Sequence, residues 1–127
     1  GWTPGTWQTV SGYTVTRSVT SGSTVHVTVN ALVEGDNYNY FVPSCAYFRL
    51  MRGGVEVART AVYLTALNYV PSGFWYYNSN TLSMDVIETG LSGNQTYTVE
   101  YWLPNEFSGT EYVRLGDRDL NVIELGN

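Results

Sequence analysis

Gln95-Thr96-Tyr97-Thr98-Val99-Glu100-Tyr101-Trp102-Leu103 alternates from one side to the other along its length. Tyr97, Val99, Tyr101 and Leu103 fall on one side, and Thr98, Glu100 and Trp102 fall on the other. Successive side chains of a strand point to opposite faces, so this run builds one apolar and one more polar face. Downstream, Asp119-Leu-Asn-Val-Ile-Glu-Leu125 is apolar on both sides, at Leu120, Val122, Ile123 and Leu125. A strand with two apolar faces needs cover on both, from its own core and from another subunit.

The same period recurs upstream. Val25, Val27, Val29, Ala31 and Val33 alternate with Thr24, His26, Thr28 and Asn30. Tyr13 to Val19 and Thr81 to Ile87 behave alike. Ala46, Phe48 and Leu50 oppose Tyr47, Arg49 and Met51, and Gly53-Gly54 then joins this run to Val55–Arg59. Two glycines accept the positive φ of a tight hairpin turn, which makes this the most secure local pairing. Ser21-Gly22, Glu34-Gly-Asp-Asn37 and Gly90-Leu-Ser-Gly-Asn94 read as turns. No stretch has helical period with caps. About eight to nine short strands at such spacing predict an all-β, antiparallel β-sandwich or jelly roll. Residues 1–12, with Pro4, Gly5 and two Trp, read as a connector from an upstream segment, and residues 13–127 as the sandwich domain.

Composition narrows the function classes. The net charge is −5 and all six basic residues are Arg, with no basic stripe for nucleic acid. No apolar run reaches the roughly 20 residues of a membrane helix, so no membrane insertion is expected. Cys45 is alone and reads as a buried thiol, and one Cys with one His cannot build a zinc site in a single chain. No cofactor is expected. Only 13% of residues are charged, while Tyr numbers 11 and Trp 4. Such a surface suits polar, uncharged ligands or protein, because these rings supply stiff contact area with a polar tip.

Candidate sites follow from residue chemistry. Asn68 to Asn80 has five aromatics and no period, and reads as a loop. In it Tyr69, Phe74, Trp75, Tyr76, Tyr77 and Asn78 are candidates for stacking on a sugar and donating to its hydroxyls; packing under the loop or against a subunit is the alternative. Tyr38 and Tyr40 form a smaller companion cluster. Trp102, Ile123 and Leu125 are candidate subunit-interface residues. The carboxylate pairs Asp85/Glu88 and Glu106/Glu111 have the spacing a glycosidase could use, but 11 acids offer such pairs by chance and no catalytic role is assigned. Asp117/Asp119 and Glu34/Asp36 fall short of a Ca²⁺ ligand set. His26 reads as an ordinary strand residue. Arg17, Arg49 and Arg59, with Glu56, Glu100 and Glu124 as partners, are candidates for fixing register between subunits.

Arg49-Leu-Met-Arg-Gly-Gly-Val-Glu-Val-Ala resembles the strand, Arg, Gly-turn and Val/Ile pattern in C-terminal heads of bacteriophage tail fibres and related viral attachment proteins. Gly93-Asn-Gln-Thr-Tyr-Thr-Val-Glu-Tyr, followed by Arg118-Asp-Leu-Asn-Val-Ile-Glu-Leu, is similar to the closing hairpin of those heads. The resemblance spans residues 46 to 125 and leaves the aromatic stretch outside it. It implies a homotrimeric, non-enzymatic head at the virion surface that attaches to a host-cell glycan or protein receptor. A monomeric carbohydrate-binding module or adhesin domain of a secreted bacterial protein is the alternative.

Overall fold

The computed structural model describes residues 6–37, 44–64, 76–102 and 112–126. They form one antiparallel sheet of five strands: β1 (Gln8–Asn37), β2 (Ser44–Arg52), β3 (Val55–Leu64), β4 (Tyr76–Trp102) and β5 (Tyr112–Gly126), in the order β3-β2-β4-β1-β5. No helix occurs among the described residues. The all-β, antiparallel expectation is met with fewer and longer strands than the eight or nine predicted.

Glycines explain the difference. Gly22 and Gly93 do take positive φ, but inside strands rather than at their ends. Between the pairs Val19↔Gly93 and Ser23↔Leu91, three β1 residues oppose Ser92 alone. That is a bulge, which bends a strand and sharpens its twist without ending it. A larger one, Val10–Tyr13, lies between the pairs Thr9↔Glu100 and Thr14↔Thr98. Asp117, at φ 22°, sits in a third, between the pairs Asn30↔Asp119 and Leu32↔Gly116. Glu34–Asn37, read as a turn, is the last of β1 and pairs with Ser79–Tyr76. Residues 8–12, read as connector, belong to the sheet, and Val10 is in its core. Gly53-Gly54 is the expected hairpin turn, with φ of 54° and 88° and the pair Arg52↔Val55 flanking it.

Bending folds the sheet over its own core. Val25, Val27, Val29, Ala31 and Val33 all point inward, as their alternation predicts, and meet Phe48, Leu50, Leu82, Tyr97 and Val99. Strand β1 turns back on itself so far that the Tyr13 hydroxyl lies 2.9 Å from the Asn30 carbonyl oxygen. The same hydroxyl lies 2.8 Å from the Asp119 carbonyl oxygen on β5, so its one proton is shared between two acceptors. Farther along, Asn80 Nδ2 of β4 donates to the Tyr63 carbonyl of β3 at 3.2 Å. On the outside, the threonine pairs Thr14–Thr98 and Thr16–Thr96 hydrogen-bond across strands and hold the β1–β4 register.

Burial pushes the Tyr13 phenol up to about 12, with Asp119 adding to the rise and Arg118 opposing it. The unfolded chain releases this proton near pH 10 and the folded chain two units later, so folding holds the proton more tightly. The stability is therefore whole below pH 10 and falls as pH rises toward 12. Tyr97 and Tyr101 are shifted the same way and add to the fall. Urea midpoints are expected to drop over that window, and Tyr13→Phe should flatten part of the drop. A midpoint independent of pH there would contradict the assignment.

Candidate functional site: an aromatic–arginine platform

The most chemically structured surface lies on the outer face of β2, β3 and the end of β4. A bulge at Val57, between the pairs Met51↔Glu56 and Leu50↔Ala58, shifts the register of the Gly53-Gly54 hairpin by one residue and places Arg49 opposite Arg59, and β4 adds the pairs Tyr47↔Trp102 and Arg49↔Glu100. Alternation sends Ala46, Phe48, Val99 and Tyr97 inward, which leaves Tyr47, Arg49, Glu100 and Trp102 on the outside.

Two like charges facing each other across a ladder repel. Two carboxylates remove that cost. Arg49 donates to Glu100 at 2.7 Å and to Glu56 at 3.4 Å, and Arg59 donates to Glu56 at 2.6 Å. Hydrogen bonding from Arg59, ahead of its charge and the contribution of Arg49, holds the Glu56 carboxyl below its ordinary range. Glu56 is thus ionised at neutral pH and acts as an acceptor. The four charges cancel.

Trp7, just before β1, closes the cluster. Its ring lies 4.2 Å from the Arg49 guanidinium carbon and 5.0 Å from that of Arg59, both within cation–π range. Tyr47 and Trp102 pack edge to face, with centroids 5.3 Å apart and planes at 65°. Trp7, Tyr47, Arg59 and Trp102 together line an open depression of about 270 Å³. It offers ring faces for C–H groups and a fixed set of polar atoms for hydroxyls, with no net charge to repel either sign.

Of the residues singled out in the sequence, Tyr38, Tyr40, Tyr69, Phe74 and Trp75 lie outside the described residues. Tyr76, Tyr77 and Asn78 are not in a loop. They open β4, paired with Asn37, Asp36 and Gly35, because ladder hydrogen bonds to β1 override their irregular pattern. Trp102 is on the platform, away from Ile123 and Leu125. Those two are exposed on β5, where His26 of β1 lies between Ile123 and Ile87 of β4. Among the described residues Asp85 pairs with no arginine; it is 2.9 Å from His26 Nε2, whereas Glu88 accepts from Arg52 and Tyr97. The two carboxylates thus engage different partners on the two faces of β4. The arginine pairs imagined between subunits form within the chain, and Glu124 accepts from Ser23. Among the described residues no group of three metal-ligating side chains comes together.

The sequence reading assigned none of Trp7, Tyr47 and Arg59 to a binding surface. The outward phase of Tyr47 was legible from alternation; that of Arg59 was not, because the bulge at Val57 turns it to the same face as Glu56. Trp7 was not, since its partners are brought to it only by folding. No protein-family profile, curated protein or solved structure matches the chain.

Proposed function

We propose that this chain is a non-enzymatic attachment domain, the head of a phage or related viral fibre, which binds a host-cell surface glycan through the Trp7–Tyr47–Arg59–Trp102 platform. The observation that carries this reading is the platform itself: half-buried rings, Trp7 held over internally neutralised arginines and Trp102 against Tyr47, on a domain of low charge. Stiff, pre-ordered rings lose little entropy on binding, which favours contact with a weakly interacting polar ligand. In this reading the folded sheet serves as the two-layer sandwich of the head. Three copies pack through Ile87, Ile123 and Leu125, which are 50–60% exposed. Linked sites then raise the effective concentration at the cell surface.

A glycan array probed with the wild type, Trp102→Ala and Trp7→Ala tests this. Each substitution is expected to weaken binding by about tenfold or more, the loss of roughly 1.4 kcal/mol, with thermal unfolding little changed. Unaltered binding by both variants would overturn the site. Light scattering is expected to show a mass near three chains. A monomer that still binds glycan would instead identify a carbohydrate-binding module of a secreted protein.

A further inference from the structure

On the inner side of the same strand ends is a second concavity, a cleft of about 280 Å³. Gln8, Val10, Phe48, Tyr101, Leu115 and Arg118 line it. Strand alternation relates it to the platform: Gln8, Phe48 and Tyr101 point in where Trp7, Tyr47 and Trp102 point out. Phe48, Val10 and Leu115 make an apolar floor. The Tyr101 hydroxyl lies 3.3 Å from Gln8 Oε1, placing two hydroxyl-binding groups side by side.

Among the described residues of the lining Arg118 is the one that is charged, and no carboxylate faces it there. Arg49, Arg52 and Arg59 are each tied to Glu, whereas Arg118 is in no ion pair among the described residues. It is nevertheless held in place. Its Nη2 donates to the Ser11 carbonyl oxygen at 3.1 Å, and its guanidinium carbon lies 5.6 Å from the centroid of the Tyr13 ring. Both anchors come from the Val10–Tyr13 bulge of β1, and Arg118 itself comes from the bulge of β5. Two departures from regular pairing thus converge to present one guanidinium.

We propose that this cleft binds a small carboxylated sugar, with Arg118 as the carboxylate-recognising residue. One N–H of the guanidinium is spent on Ser11, which leaves the rest of the fork for a carboxylate, the group whose planar geometry it matches. The Phe48–Val10–Leu115 floor takes the C–H face of the ring, and Tyr101 and Gln8 take its hydroxyls. The volume lies near the lower end of small-molecule sites, roughly 300–1,000 Å³, which suits a single hexuronate. This site does not depend on the platform, and the two can be present or absent separately.

The test is a titration of ¹⁵N-labelled protein with methyl β-glucuronide and with methyl β-glucoside, which share the ring and differ in the carboxylate. The glucuronide is expected to shift the amides of Gln8, Val10, Tyr101 and Leu115 saturably, with the glucoside at least tenfold weaker. Arg118→Gln should bring the glucuronide down to the glucoside level, and Tyr101→Phe should weaken both. Trp102→Ala should leave the glucuronide titration unchanged, so a failed platform and a failed cleft give different results. No saturable shift at those amides, equal affinity for the two glycosides, or glucuronide binding lost in Trp102→Ala but kept in Arg118→Gln would each overturn the proposal. The comparison of the two glycosides in the wild type reads the charge requirement even where a variant does not fold.

Discussion

Replacing Tyr97 with alanine is expected to lower the free energy of unfolding by about 3–5 kcal/mol, the range for truncating a fully buried ring. Tyr97 has no exposed surface and sits toward the C-terminal end of β4, the middle strand of the sheet, where β1 and β2 pair with it on either side. Its hydroxyl donates to Glu88 Oε2 at 2.6 Å, and Arg52 Nε reaches both oxygens of the same carboxylate at 3.0 Å. Two losses are therefore combined, the ring's packing and the hydroxyl's bond. Tyr97→Phe separates them. It keeps the ring and removes a donor from a carboxylate that Arg52 still satisfies, so a loss near the lower end of the roughly 1.5–3 kcal/mol of a hydrogen bond to a charged group is expected. Packing thus dominates the difference. Urea unfolding of the two variants, with Glu88→Gln to complete a double-mutant cycle with Tyr97→Phe, measures each part. A Tyr97→Phe loss as large as that of Tyr97→Ala would show that the hydroxyl network, and not the ring, holds the two halves of the sheet together.

Phe48→Ala is expected to cost about 3–5 kcal/mol as well. Phe48 is 1% exposed on β2, between Thr60 of β3 and Tyr101 of β4 in the ladder. Its ring also floors the Arg118 cleft, so truncation opens the cleft downward into the core rather than leaving a sealed void. Water can enter a cavity that opens to solvent and has polar walls, so part of the cavity penalty can be offset and the loss should fall toward the lower end of that range. Phe48→Leu, which keeps most of the volume, should cost less than about 1.5 kcal/mol. Urea midpoints of both variants check this. A loss below 1 kcal/mol for Phe48→Ala would mean that the β2–β3 hairpin contributes little to the common core.

Much of the fold was legible because burial and period report the same thing. The run Val25–Val33 alternates, and all five of its odd positions are buried. The Gly53-Gly54 hairpin was legible because its turn chemistry is local. The bulges were not, since Gly22, Gly93 and Asp117 have the composition of turns, and only the partner strand shows that pairing resumes beyond them. Tyr76 to Asn80 failed for the opposite reason. Its residues carry no alternation, yet β1 supplies ladder partners for their backbone.

For the sites, local sequence placed Trp102 outward but assigned it to a subunit contact together with Ile123 and Leu125. Folding separates them, setting Trp102 against Tyr47 and grouping Ile123 with Ile87. Trp7 and Arg118 carried no signal, because their significance depends on residues distant in the chain: Arg49 and Arg59 for the first, Ser11 and Tyr13 for the second.

By itself the amino-acid order determined the strand class, the inward face of the Val25–Val33 run and the place of the β2–β3 turn, since these depend on side-chain period and on glycine's tolerance of positive φ. The tertiary structure alone decided where strands bend rather than stop, and which outward residues meet. A bulge changes the direction of a strand by an amount that depends on its partner, and two surface residues become one site only after that direction is set. The Trp7 platform and the Arg118 cleft both arise at that step.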